Sequence, residues 1–209
     1  MSHQAPALLI KIRYPKKFDG VILCFGAMIP DFNGIIDTFY PLGIRSIRYS
    51  LLGLIVWTLP IALILTIFFS RYLDPWISKL TNKENFFLNI LKSFGMNELH
   101  YLKNKKFNHK FFIVASISAI IGGFTHLLLD LPSHENVELF YPLTILSYSN
   151  NLSVPLKIYK TIAIGSRELI ITQFTVIWII EDIIFFITSL CLLRYLKKHN
   201  LIYKWYQNR

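Results

Sequence analysis

Residues 111 to 129 read FFIVASISAIIGGFTHLLL, nineteen positions without an Asp, Glu, Lys or Arg. Residues 51 to 69, LLGLIVWTLPIALILTIFF, are equally free of charge. About 20 such residues in a helix cross a hydrocarbon core, so the spacing of charge predicts two transmembrane helices. A third stretch, 169 to 193, has the length but is interrupted by Glu181 and Asp182. Outward from these runs the composition agrees. Of the 209 residues, 54% are apolar and only 16% charged, against about 25% charged in a soluble domain. This excludes a soluble globular enzyme, a disordered chain and a disulfide-stapled secreted domain. Cys24 and Cys191 both lie inside apolar runs, where a free thiol behaves as a small hydrophobe.

The net charge of +10 raises the question of nucleic acid, because a basic surface releases counterions from phosphate backbones. Its distribution argues against that. There is no zinc-finger spacing and no RNA-recognition signature, and the Lys and Arg residues fall between the apolar runs. By segment, Lys plus Arg numbers 4 in residues 1 to 17, 2 in 31 to 50, 8 in 70 to 110, 3 in 131 to 168 and 5 in 194 to 209. High and low values alternate, the positive-inside pattern, provided that residues 18 to 30 also enter the membrane. Segments 31 to 50 and 131 to 168 then face outward, and 14 to 17, 70 to 110 and the C-terminal tail face the cytoplasm. The expected location is a cell membrane, multi-pass. Residues 18 to 30 make only roughly 20 Å of helix, enough for a half-inserted helix. The basic residues near the start follow the short ALLI stretch, the reverse of a signal peptide's order, so no cleavage is expected.

Within the long cytoplasmic segment, Phe87, Ile90, Leu91 and Phe94 stand at i, i+3, i+4 and i+7, opposite Asn85, Asn89, Lys92 and Ser93. This is the pattern of an interfacial amphipathic helix. Its basic neighbours Lys103, Lys105, Lys106 and Lys110 suit an anionic leaflet. The expected fold is therefore all-α: one integral-membrane domain over 1–209, a helical bundle with four to five membrane-embedded helices and one interfacial helix. The apolar helices are placed at about 18–30, 51–70, 111–131 and 168–194, and the interfacial one at about 85–102.

His126 and Asp130 are four apart near a helix end, so both project from one face. An imidazole beside a carboxylate is an ordinary ligand pair for Zn²⁺ or Mn²⁺. Ser118 and Gly122 continue that face inward as a seam for a neighbouring helix. His134 follows Pro132 in LPSHENVELFYPL and offers a third ligand if the chain turns back. Asp31, in MIPDF, falls on the same outer side, although a Pro-Asp corner also serves as a turn or helix N-cap. His3 joins them only if residues 4 to 14 form an inward-running helix and Tyr14 to Lys17 turn into the next. Arg45 and Arg48, on the outer loop, suit an anionic headgroup and equally suit interfacial anchoring. His100, His109 and His199 lie in the basic segments and receive no role.

Taken in order, Ser2-His3, Pro30-Asp31, IRYSLLGLIVWTLPIALIL and GGFTHLLLDLPSHENVELFYPL make a sequence that resembles the integral-membrane domain-of-unknown-function 4184 family. The last block is also similar to inner-membrane metal-dependent hydrolases, whose signature places a His, three residues and an Asp before a short polar turn and a Tyr-Pro or Phe-Pro. The resemblance implies that His3, Asp31, His126 and Asp130 occupy the family's polar positions as metal ligands. It implies that His134, in the turn, is a ligand or general acid. One position departs: Tyr49-Ser50 stands where a His-Ser pair is expected to open the central helix.

The expected function is thus a hydrolase with a divalent metal, Zn or Mn, acting at the outer face on a membrane-associated ester or phosphoester. In it His3, Asp31, His126 and Asp130 are ligands, His134 is catalytic, and Arg45 and Arg48 bind substrate. The expected partner is membrane lipid. The alternative is a non-catalytic lipid-binding or scaffolding protein whose His and Asp residues form a structural network, which Tyr49 favours. A third reading, a small transporter using Glu181 and Asp182, ranks last without an internal repeat.

Overall fold

Leu51–Thr81, His109–Leu131 and Gln173–Lys198 form three helices long and apolar enough to cross a membrane, and a shorter apolar helix covers Gly20–Phe32. They belong to a computed structural model that describes residues 3–39, 47, 49–81, 83, 85–133, 136–137, 139–143, 148–149, 158–164 and 167–206. In chain order the helices are α1 (Gln4–Arg13), α2 (Gly20–Phe39), α3 (Leu51–Thr81), α4 (Phe86–Ser93), α5 (His109–Ser133), α6 (Gln173–Lys198) and α7 (Leu201–Tyr206), with a 3-10 stretch over Met96–Asn104. Between α5 and α6 lie two short antiparallel ladders, β1 (Asn136–Val137) with β2 (Tyr148–Ser149) and β3 (Ile158–Ile164) with β4 (Arg167–Thr172). The body of the molecule is the helical bundle that the apolar runs predict.

The prolines explain the irregularities of α3. Its helical path opens into π turns at Leu54–Thr58 and Phe69–Leu73. A proline lacks the N–H that would bond to the carbonyl four residues earlier, and its ring clashes with that carbonyl. Four residues before Pro60 and Pro75 stand Val56 and Arg71, one inside each π turn. The wider turn absorbs the clash without ending the helix. At the start of α3, Ser50 accepts a hydrogen bond from the Gly53 N–H at 3.0 Å and donates to the Ile47 carbonyl at 2.6 Å.

Four element boundaries differ from the sequence expectation, and the helix placed at 51–70 runs on to Thr81. The first apolar helix spans Gly20–Phe39 rather than 18–30: Asp19 caps it through its Val21 and Ile22 N–H groups, and the helix continues through Pro30. Asp31 is therefore on the helix and not in a turn beyond it. The segment 85–102 is broken, because Gly95 takes a left-handed φ of 84° after Ser93 and the chain resumes as the 3-10 stretch. The helix expected over 168–194 begins at Gln173. Leu169, Ile170 and Ile171 extend into β4, as branched side chains favour, and Thr172 and Thr175 then form a reciprocal capping box. The apolar face of α4 remains uncovered, with Phe86, Phe87, Ile90 and Leu91 exposed, as an interfacial helix requires.

The helices α2 and α5 set the geometry of everything that follows. Ser118 Oγ accepts from the Asp19 N–H at 2.9 Å, a Cβ placed on Gly122 would lie 2.3 Å from the Leu23 carbonyl oxygen, and His126 Nδ1 lies 2.9 Å from the Ala27 carbonyl. Residues 118, 122 and 126 thus meet 19, 23 and 27, four by four in the same direction. The two helices run parallel along matched i±4 rows, and one more step brings Asp130 to Asp31. The expected small-residue seam is real, and Gly26 extends it: a Cβ there would stand 2.5 Å from the Ala119 carbonyl oxygen.

The opposite end of the bundle is basic. Lys105 pairs with Asp19 at 2.8 Å, and Lys11 donates to the Pro15 and Phe18 carbonyls at 2.6 and 2.7 Å while lying 4.8 Å from the Trp205 ring centroid. Lys197 reaches Glu98 at 2.7 Å. Lys105 is buried, which corrects its reading as a headgroup-facing residue: it folds inward because Asp19, itself buried, needs a counter-charge. Burial alone would raise the Asp19 pKa, but Lys105, then Lys11 and the Ile22 N–H, hold it below the ordinary 3.8. A depressed carboxylate stabilises the fold above its unfolded pKa and loses that contribution as pH falls through the folded one. Lys105→Met is expected to cost about 3–5 kcal/mol at neutral pH by leaving Asp19 without its closest cation. Its thermal stability in detergent should then rise on acidification toward pH 4, whereas the unmodified protein loses the Asp19 contribution only as the pH falls below about 4, through the depressed pKa.

Candidate functional site

The packing of α1 on α2 brings His3, at the N-terminal end of α1, to the end of the α2–α5 seam. Helix α1 runs to Arg13, its last turn closes through the Tyr14 N–H on the Ile10 carbonyl, and the Lys17 N–H bonds to Tyr14 in the reversal that follows. The helix and the reversal on which the arrival of His3 depends are both present. His3 Nδ1 lies 3.3 Å from Asp31 Oδ2, and His3 Nε2 lies 3.4 Å from Asp130 Oδ1. His126 Nε2 lies 2.9 Å from Asp130 Oδ2 and 3.7 Å from Asp31 Oδ1. The two imidazole rings are 4.3 Å apart between centroids. Two imidazoles and two carboxylates from three helices therefore face a common centre.

The tautomer of His126 follows from its other nitrogen. The Ala27 carbonyl can only accept, so Nδ1 carries the hydrogen and donates. In the neutral ring Nε2 then presents a lone pair toward the Asp130 carboxylate, itself only an acceptor when ionised. Two lone pairs at 2.9 Å need a proton or a cation between them. A backbone carbonyl that orients a histidine in this way is the usual support of a metal-ligating imidazole.

Three of the four side chains stand close enough to share a cation. A tetrahedral ion with bonds of about 2.0–2.1 Å holds its ligand atoms roughly 3.3–3.4 Å apart. His3 meets Asp31 through Nδ1 and Asp130 through Nε2, so a single ion can use only one of these two contacts. His3, Asp31 and His126 each offer a ligand atom within 4.8 Å of the others. A doubly charged ion would balance the two carboxylates. Without one, burial alone would lower the His3 pKa, but its hydrogen bonds to Asp130 and Asp31 and their charges push it up to about 10. A bound dication takes the place of that proton.

Burial gives the cluster a direction. The side chains of His3, His126 and Asp130 are 6%, 0% and 1% exposed, whereas that of Asp31 is 53% exposed. The cluster is buried at His3, His126 and Asp130 and open at Asp31. Tyr49, the position that departs from the resemblance, stacks on His126 with 6.3 Å between centroids and 17° between planes. The exchanged residue therefore lies against the cluster itself.

Of the sequence-predicted site residues, His3, Asp31, His126 and Asp130 are brought together. His134, Arg45 and Arg48 lie outside the described residues. Glu181 and Asp182 sit on α6, eight and nine residues after its start at Gln173, roughly 12 Å along the helix rather than the 18 Å that a start at Leu169 implies. Neither takes part in the ion pairs of the cluster among the described residues. Sequence reasoning passed over the Ala27 carbonyl, which no side-chain pattern announces, although the matched four-residue steps of α2 and α5 lead to it.

The family described as a domain of unknown function, DUF4184, matches residues 1–189. Those residues include α1 to α5 and most of α6, and so every member of the cluster. No curated protein and no solved structure matches the chain.

Proposed function

The chain belongs to the DUF4184 family, and we propose that this member is a membrane-bound, metal-dependent hydrolase of an ester or phosphoester carried by a membrane lipid. The observation that supports this reading is the convergence of His3, Asp31, His126 and Asp130, the first three of which offer ligand atoms within 4.8 Å of one another, with His126 Nε2 aimed inward by the Ala27 carbonyl. The ion, zinc or manganese, supplies Lewis acidity toward water and toward the scissile oxygen. The protein does the rest. His126 and Asp130 are fixed by the close contact of α2 and α5, and His3 is held between two carboxylates. Asp31, at the open side, is the member best placed to accept a proton from an entering water. His134 is assigned as general acid, and Arg45 and Arg48 as partners of an anionic headgroup.

The topology proposed with it has α2 entering the membrane as a fourth embedded helix beside the three long ones. The basic end, with Lys11, Lys105, Lys197 and the C-terminus, faces the cytoplasm by the positive-inside rule, and the cluster faces outward. Single cysteines in a Cys24→Ser, Cys191→Ser background test it. An impermeant thiol reagent on intact cells should label positions in 31–50 and spare those in 70–110, and the reverse pattern contradicts it.

Hydrolysis is tested by incubating the zinc- or manganese-loaded protein with phospholipid and carboxylic-ester substrates in mixed micelles. Product release that is lost with chelator and in Asp130→Asn supports the proposal. A folded protein that binds no metal and turns over no substrate supports the second reading, a structural network, which the stacking of Tyr49 on His126 favours. Tyr49→His places an imidazole beside the cluster and is expected to raise zinc affinity by about tenfold, the lower end of what a supporting partner is worth at a metal site. Competition with a chelating dye measures it.

A further inference from the structure

A cavity of about 340 Å³ lies between α1, α2, the second half of α3, the 3-10 stretch, α6 and α7. Along α1 its lining runs from Gln4 to Lys11, and along α2 from Met28 back to Gly20. Gln4 adjoins His3 in the chain, Met28 precedes Asp31 by three positions on α2, and the Gln4 side-chain amide touches the Met28 sulfur. The cavity thus begins beside the candidate metal cluster and runs along the α1–α2 pair toward the basic end. From Gln4 to Lys11 is roughly 10 Å of helix.

Its walls are almost wholly apolar. Lys11 contributes its stem, which crosses Gly20 closely enough that a Cβ there would lie 3.1 Å from Lys11 Cγ. Its ammonium is turned away to the Pro15 and Phe18 carbonyls. Water in such a space finds too few polar partners to be held, and leaving it empty forfeits the dispersion contacts of every wall atom. In a bundle immersed in lipid, the abundant molecule that matches an apolar space of this size is a hydrocarbon chain. The volume falls at the lower end of small-ligand sites, too small for a helix and sufficient for a single chain.

We propose that this cavity binds an acyl chain of the membrane lipid whose headgroup reaches the His3–Asp31–His126–Asp130 cluster. The inference deepens the hydrolase reading and rests on it for the direction in which the lipid lies, whereas occupancy by a chain is testable without it. The chain extends from beside the Gln4–Met28 contact toward Trp205, so the headgroup ester is left at the open side of the cluster next to Asp31. Specificity for an amphiphile then comes from the channel and not from the ion.

The experiment uses the full chain in mild detergent, with dioleoyl phosphatidylglycerol as probe, and reads retained lipid by native mass spectrometry and zinc by elemental analysis on the same samples. Wild type should retain one lipid. Cys24→Phe from the α2 wall and Leu193→Phe from the α6 wall fill the channel, and each should lower retention by about tenfold or more, a loss of about 1.4 kcal/mol or more, while zinc content stays unchanged. His126→Ala should lose zinc and keep the lipid. Lipid that is retained and displaced by both fillings in a protein that binds no zinc upholds the cavity and removes the metal reading. Equal retention in wild type and both filled variants, or none in wild type, overturns the inference whatever the zinc content, because the lipid is then annular only or absent.

Discussion

His126→Ala is expected to reduce zinc affinity by more than the roughly 10–100-fold that loss of a merely supporting partner costs, which leaves the purified variant without metal. The ring supplies the Nε2 lone pair at the centre of the cluster, 2.9 Å from Asp130, and no other imidazole among the described residues stands there except His3. Truncation also removes the donor to the buried Ala27 carbonyl, at a cost of about 1–3 kcal/mol for an unsatisfied buried group. A loss of metal through misfolding must therefore be separated from a loss of ligation. His126→Asn does so, since its amide can still donate toward Ala27 but offers no nitrogen lone pair. Isothermal titration with zinc should find both variants defective, and thermal unfolding should find the asparagine variant closer to wild type. If either variant binds zinc as wild type does, the cluster is not the metal site.

The second large effect is expected at the seam. A Cβ on Gly122 would stand 2.3 Å from the Leu23 carbonyl oxygen and 3.1 Å from the Ala27 nitrogen. Both are backbone atoms of a helix and cannot rotate away, so Gly122→Val must push α2 and α5 apart. Overpacking of this kind costs about 1–3 kcal/mol when side chains can adjust, and more when backbone must move. The displacement also carries Ala27 and Asp31 away from His126 and Asp130, so metal is lost together with stability. Gly123 is the internal comparison. A Cβ there meets Leu54 Cδ2 at 2.6 Å and Thr58 Cγ2 at 3.1 Å, which are ends of side chains that can turn. Gly123→Ala should therefore lower the melting temperature by clearly less than Gly122→Val, measured in the same detergent. An equal or reversed order would mean that the α2–α5 contact does not hold the cluster.

How much of this was legible beforehand varies with the physics of each part. The charge-free runs at 51–69 and 111–129 fixed the existence of two long helices, because hydropathy over a bilayer's thickness is a property of composition alone. The pairing of His126 with Asp130 was legible from the four-residue spacing, which places both on one helical face. The arrival of His3 was conditional on a reversal at Tyr14 to Lys17, and local sequence permits that turn without requiring it. Boundaries were less legible. Residues 169–171 are as apolar as the helix they precede, and only the Thr172–Thr175 cap separates strand from helix. Lys105 looked like its basic neighbours, because nothing local marks a lysine that turns inward to a carboxylate 86 positions away. The channel beside α1 was invisible for the same reason: its walls come from six elements far apart in the chain, and apolar residues that line a space have the same pattern as those that fill one.

The central claim is that the cluster holds a divalent metal, and elemental analysis of the purified wild-type protein tests it most directly. The protein would be prepared without a histidine tag, stripped with chelator and reloaded with a stoichiometric excess of zinc or manganese before desalting. The account predicts one tightly held ion per folded chain, absent from His126→Ala and Asp130→Ala treated alike. A folded wild-type protein that emerges with no metal, or whose metal survives both substitutions, would contradict it.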